Sequence, residues 1–119
     1  MTEPPIAPKP ILHLTSDSFN RTVRSFDKAV IDFWAEWCGP CRRFSPVFEA
    51  VSKEFPEIRF CKCNTDDCPD IAQELFIFSI PTVLFIKDGK IEYVGNAQEA
   101  KAMCDENTEV FLVTKFGQC

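Results

Sequence analysis

The chain has 119 residues, 45% of them hydrophobic and 26% charged, with a net charge of −5 and an isoelectric point near 4.8. That size and composition suit one globular domain with a true core, to which twelve Phe, two Trp and one Tyr add volume. The acidic balance argues against nucleic acid or an anionic membrane surface as the main partner, and no apolar run nears the roughly 18 residues that span a bilayer.

Residues 1–10 hold four prolines and little that could be buried, which predicts an extended, flexible arm ahead of a single domain over 11–119. With no apolar h-region the arm is no secretory signal, so a cytoplasmic chain is the expectation. Ile11-Leu12-His13-Leu14 reads as a short strand. Thr15 or Ser16 then caps a helix with Phe19, Val23 and Phe26 as its apolar positions. Ala29 to Trp34 is apolar on both faces apart from Asp32, the pattern of a central strand.

The next stretch is Ala35-Glu36-Trp37-Cys38-Gly39-Pro40-Cys41-Arg42, which leads into an amphipathic helix predicted over about Cys41–Phe55. Phe44, Val47, Phe48 and Val51 are its core stripe, and Pro46 should kink it. Glu57 to Asn64 reads as a strand, and Asp67-Cys68-Pro69 opens a short helix to about Leu75. Ser79-Ile80-Pro81 punctuates the chain. Thr82 to Ile86 and Ile91 to Val94 are hairpin strands joined through Lys87-Asp88-Gly89-Lys90, and Gly95 ends the second. Strand–helix alternation followed by a hairpin predicts an α/β fold: a central mixed sheet of four to five strands with helices on both faces.

A Cys-x-x-Cys where a strand hands over to a helix is a redox signature. The reacting species is the thiolate, and the free N–H groups and positive dipole end of a helix N-terminus favour it. A structural zinc half-site is the bland alternative, but it needs four ligands, and Gly-Pro between the thiols suits a helix start. Asp32 is a carboxylate in an otherwise apolar strand. Burial raises a carboxyl pKa, which makes a proton acceptor for a thiol; the alternative is a side chain facing solvent at a sheet edge.

Seven cysteines cannot all pair within one chain, and reduced thiols plus one working pair fit best. Cys61, Cys63 and Cys68 invite a metal reading. With one His in the chain, at 13, a fourth ligand would have to be Cys104, Cys119 or an acid, so buried small hydrophobes are the better account.

Taken together, Asp32 to Cys41, Pro46, Lys62, Ile80-Pro81-Thr82, Lys87-Asp88-Gly89 and Gly95 resemble the thioredoxin family in order and spacing, over about residues 11–97. The resemblance implies the thioredoxin fold and a protein-disulfide reductase. Cys38 would be the nucleophile and more exposed sulfur, Cys41 the resolving thiol, and the two together the redox-active disulfide. Asp32 would be the proton acceptor, with Lys62 close enough to tune it.

The resemblance further implies a cis Pro81, with its loop against the cysteine pair and the Ile80 backbone offering strand-like hydrogen bonds to a target peptide. Trp37 would be a semi-exposed platform, with Gly39, Pro40, Gly95 and Asn96 completing the docking rim. Trp34 is expected in the core near the site, and Arg42 and Arg43 as solvated charges. Cys68 matches a position where several eukaryotic members carry a secondary cysteine, which allows regulatory oxidation. No bound cofactor is implied. Electrons would come from NADPH through thioredoxin reductase and pass to oxidised proteins of the peroxiredoxin, methionine sulfoxide reductase or ribonucleotide reductase type, the chain acting as a monomer.

The tail departs from the family pattern. Residues 97–119 carry a poorly apolar stretch, then Asp105-Glu106-Asn107, then Val110 to Val113. A last helix at about 108–116, capped by Asn107 or Thr108 with Phe111, Leu112 and Phe116 buried, is preferred to one at 97–104. Arm and tail motivate a second reading, an interaction module or structural subunit whose redox role is secondary. A third, a disulfide oxidant or isomerase, is disfavoured by Gly-Pro between the cysteines.

Overall fold

The computed structural model describes residues 10–95. The expectations for the arm over residues 1–9, for Asn96, for the last helix and for Cys104 and Cys119 lie outside the described residues. Within them the order is β1 (Leu12–Leu14), α1 (Ser16–Ser25), β2 (Lys28–Trp34), α2 (Gly39–Glu54), β3 (Arg59–Asn64), α3 (Pro69–Glu74), β4 (Thr82–Lys87) and β5 (Lys90–Gly95).

The five strands form one sheet in the order β1-β3-β2-β4-β5. β1, β3 and β2 are parallel; β4 runs antiparallel to β2, and β5 antiparallel to β4. This is the expected mixed sheet, with β2 at its centre. Because successive side chains of a strand point to opposite faces, β2 feeds two cores. Val30 packs with Phe60, Val83 and Phe85 under the α2 residues Phe44, Phe48 and Val51. Ala29, Ile31 and Phe33 pack on the other face with Phe19 of α1 and Ile71 of α3. Cys61, Cys63 and Cys68 belong to that second core, fully buried and with free thiols, as small hydrophobes would be.

Local chemistry accounts for the boundaries. Thr15 and Ser18 form a reciprocal capping box at the start of α1. The helix expected from Cys41 starts two residues sooner, at Gly39, because Cys38 is itself the N-cap and Pro40 arrives with helical φ already set. It runs uninterrupted through Pro46, whose ring is on the exposed side, and Val47 is only partly buried. β3 begins at Arg59 rather than Glu57, since Ile58 N–H turns back to the Phe55 carbonyl at 3.0 Å. The β4–β5 turn puts two residues at positive φ, Asp88 at 52° and Gly89 at 78°. A Cβ on Gly89 would also stand 3.2 Å from the Arg24 carbonyl, so glycine answers both demands.

Phe48 is fully buried, 5.2 Å from the Phe60 ring and 5.7 Å from that of Phe44. Phe48→Ala should lower the unfolding free energy in urea by about 3–5 kcal/mol without changing the denaturant slope. A loss under about 1 kcal/mol would show that α2 is not seated on the sheet as described.

Candidate functional site

The site forms where β2 ends and α2 begins. Cys38 and Cys41 are joined as a disulfide, with their Cα atoms 5.3 Å apart. Cys38 caps α2, and its sulfur accepts the Cys41 backbone N–H at 3.2 Å. That amide, with the free N–H groups of the first turn, is the environment that holds a thiolate once the bond is reduced. Cys38 is 5% exposed and Cys41 fully buried, so Cys38 is the accessible sulfur by a narrow margin.

Beside the pair runs the loop that enters β4. The Ile80–Pro81 peptide is cis, as the resemblance implied. The Ile80 carbonyl oxygen lies 3.7 Å from Cys38 Sγ, and the Ile80 side chain packs against the cysteine pair with Ala35 and Trp34. Trp34 is therefore part of the site's wall rather than of the deep core. The register sets Gly95, the last residue of β5, opposite Val83, two residues beyond Pro81. Gly39 and Pro40 form the first turn of α2.

Trp37 is more open than a semi-exposed platform, at 71% exposure. Its indole N–H donates to Asp66 Oδ2 at 3.1 Å. Asp66 was not singled out in the sequence, where it is one of two adjacent acids in a turn. The turn is closed by Asn64, whose side-chain oxygen accepts the Asp66 N–H at 2.9 Å. Arg42 and Arg43 are exposed at the head of α2, as expected of solvated charges.

Asp32 has no exposed surface, and neither carboxyl oxygen has a hydrogen-bond partner among the described residues. It alternates with Ile31 and Phe33 and so faces the α2 side of the sheet, as Val30 does. Burial pushes its carboxyl from an ordinary 3.8 to about 7, against the opposing pull of the Lys62 ammonium. Lys62 is the register partner of Asp32 across β2 and β3, and only 6% exposed. Its ammonium donates to Ser45 Oγ on α2 and sits 5.3 Å from the Trp34 ring centroid. Ser45 is a second residue the sequence did not flag, since a serine in the middle of a helix carries no signal of its partner.

On the far face, Cys68 Sγ lies 3.6 Å from the Leu14 carbonyl oxygen, and Cys63 shares a side-chain hydrogen bond with Cys68. Burial pushes the Cys61 thiol up to about 12, and it pushes Cys63 up as well, further helped by Cys68. Both are poor thiolates at neutral pH. Among the described residues no group of three or more His, Cys, Asp or Glu is placed to hold a metal ion.

The family model described as Thioredoxin matches residues 10–107. The chain is similar to a thioredoxin of Porphyra purpurea, 46% identical over 82 residues that cover 67% of this chain and 77% of the relative. It is also similar to a chloroplastic M-type thioredoxin of Triticum aestivum, 45% identical over 87 residues covering 71% of this chain and 50% of the relative. The chain thus spans about half the length of relatives such as the wheat protein. Among solved structures it resembles the oxidised form of mitochondrial thioredoxin 3 from Saccharomyces cerevisiae. That match has a TM-score of 0.70 at 35% identity and covers 80% of this chain and 93% of the other.

The unpartnered carboxyl of Asp32 sets a stability profile. Below about pH 4 the group is protonated in both folded and unfolded chains. As pH rises toward about 7 the unfolded carboxyl ionises while the folded one resists, so stability falls across that window and levels off above it. The difference between 3.8 and about 7 corresponds to roughly 4 kcal/mol. Asp32→Asn should therefore gain on the order of 2–4 kcal/mol at about pH 8 and flatten the profile between about pH 4 and 7. Urea titrations at several pH values check this; a less stable variant at pH 8 would mean that Asp32 is ionised and paired in the fold.

Proposed function

Because the chain belongs to the thioredoxin family, we propose that it is a protein-disulfide reductase working by dithiol–disulfide exchange through Cys38 and Cys41. The observation that carries this reading is the pair's placement. Cys38, the more accessible sulfur, caps α2 and lies 3.7 Å from the Ile80 carbonyl oxygen, with a buried, unpartnered carboxyl on the α2 side of the strand behind it.

The reduced Cys38 thiolate attacks one sulfur of a target disulfide. The target's S–S bond breaks, one target thiolate leaves, and a mixed disulfide joins Cys38 to the other sulfur. The Cys41 thiol then gives up its proton and attacks Cys38 Sγ, which releases the second target thiolate and forms the Cys38–Cys41 disulfide. The target has gained two electrons and the chain has lost them. Asp32 is the acceptor of the Cys41 proton: with its carboxyl at about 7 it can take and return a proton near neutral pH. The ammonium of Lys62, held by Ser45, limits how far that value rises.

The target's extended segment lies along Ile80 and Pro81, whose backbone approaches Cys38, with Trp37, Gly39, Pro40 and Gly95 around it. The chain needs no bound cofactor for the exchange itself, and NADPH acting through a thioredoxin reductase returns it to the dithiol. Oxidised peroxiredoxins are among the targets we propose. The chain resembles, with a TM-score of 0.71 at 33% identity, a chain from a structure that concerns thiol resolution in yeast mitochondrial 1-Cys peroxiredoxin via glutathione/thioredoxin systems.

Cys38→Ser should reduce insulin disulfides no faster than dithiothreitol alone, since a serine hydroxyl is a weak nucleophile at neutral pH. Cys41→Ser should accumulate a mixed disulfide with insulin that persists on a non-reducing gel. Insulin reduction at the wild-type rate by either variant contradicts the mechanism. In stopped-flow measurements the resolving step should speed up as pH rises through about 7, where Asp32 ionises, and Asp32→Asn should slow it about a hundredfold and remove that rise. An unchanged rate would take Asp32 out of the proton path.

A further inference from the structure

Two aromatic side chains stand outside both cores. Phe76 is 77% exposed and Phe78 84%, and their rings meet edge to face with centroids 6.2 Å apart. The segment alternates: Leu75, Ile77 and Ile80 pack inward on the core shared with α1 and α3, while Phe76 and Phe78 point out. Phe76 does so from a left-handed backbone, φ 56°, which a bulky residue seldom adopts. Burial among the described residues explains neither ring.

Their position is informative. Only Ser79 separates Phe78 from Ile80, so their Cα atoms are at most about 7 Å apart even in a fully extended chain. The Ile80 carbonyl oxygen is itself 3.7 Å from Cys38 Sγ. The aromatic pair therefore continues the surface beside the reactive sulfur, away from Pro81. The segment that leads to the rings is acidic, although α1 on the same face also carries the exposed Arg21 and Arg24. Asp66, Asp67, Asp70 and Glu74 are all exposed, and no lysine or arginine occurs between Lys62 and Lys87. The arginines nearest the thiols, Arg42 and Arg43, belong to α2 on the opposite face of the sheet.

Resting on the reductase reading, the geometry points to Phe76 and Phe78 as a specificity-determining anchor site for protein disulfides flanked by a basic segment that carries a large apolar side chain. The apolar residue covers the two rings, its lysines or arginines face the acids around α3, and the neighbouring target cysteine is delivered to Cys38. Burying the rings supplies affinity, and the acids of the segment between β3 and β4 select the partner and speed encounter.

The test uses three peptides, each joined through its cysteine to a chromogenic thiol, and hydroxyethyl disulfide as a small substrate that bypasses the patch. One peptide carries lysines and a phenylalanine beside the cysteine, one glutamates and a phenylalanine, one lysines and a serine. The wild type should reduce the lysine–phenylalanine peptide with a kcat/KM about tenfold above each of the others, tenfold being about 1.4 kcal/mol. Raising salt from about 0.05 to 0.5 M should erase the lysine–glutamate difference and keep the phenylalanine–serine one. The double variant Phe76→Asn, Phe78→Ser should bring the first peptide down to the level of the lysine–serine peptide, with hydroxyethyl disulfide reduced within about twofold of wild type. Asparagine tolerates the left-handed backbone, so the fold should be kept.

A wild type without preference among the peptides, or a double variant that keeps it, overturns the proposal. So does sedimentation showing a wild-type dimer that the double variant loses, since a second copy would then cover the patch. A wild type that reduces neither the peptides nor hydroxyethyl disulfide refutes the reductase reading itself.

Discussion

The structure depends on β2 being the central strand and ending where α2 begins. Burial on both faces makes β2 rigid, and that rigidity fixes the first turn of α2, where Cys38 is the cap and its sulfur accepts the Cys41 amide. The same burial takes every trace of solvent from Asp32 and raises its carboxyl to about 7. One constraint thus yields a sulfur placed to become a thiolate and a carboxyl placed to hold a proton. The cost, an unpartnered acid inside the fold, is a destabilisation of roughly 4 kcal/mol at high pH, a large share of the 5–15 kcal/mol typical of a domain. Retaining such a group is hard to explain by packing and easy to explain by chemistry.

Around that junction the remaining parts act by position. β4 enters next to β2 through the cis Ile80–Pro81 peptide and brings a backbone carbonyl to the sulfur. β3 places Lys62 in register with Asp32, and Ser45 on α2 holds its ammonium. Charge, burial and hydrogen bonding at the dithiol come from four different elements, so no single segment carries the site.

Much of this was legible in the sequence because it is local or patterned. The strand-to-helix handover at Cys38, the lone acid in an apolar run at Asp32 and the Lys87–Lys90 turn each declare themselves within a few residues. The cis Pro81 and the nearness of Lys62 to Asp32 came only from family resemblance, because neither has a local signal strong enough to read. Asp66 and Ser45 were missed because their partners are far along the chain, Trp37 at 29 residues and Lys62 at 17. Phe76 and Phe78 carry no local signal of exposure, since that depends on which way an irregular segment turns. The early start of α2 followed from a cysteine acting as N-cap, a role more usual for Ser, Thr, Asp or Asn.

The central claim is that this junction makes an electron donor to protein disulfides. The reduction potential of the Cys38–Cys41 couple at pH 7, measured by equilibration with a dithiol of known potential, tests it most directly. The account predicts a reducing value, near the roughly −270 mV characteristic of thioredoxin and below about −240 mV. A value above about −200 mV, in the range of the isomerases and oxidants, would contradict it.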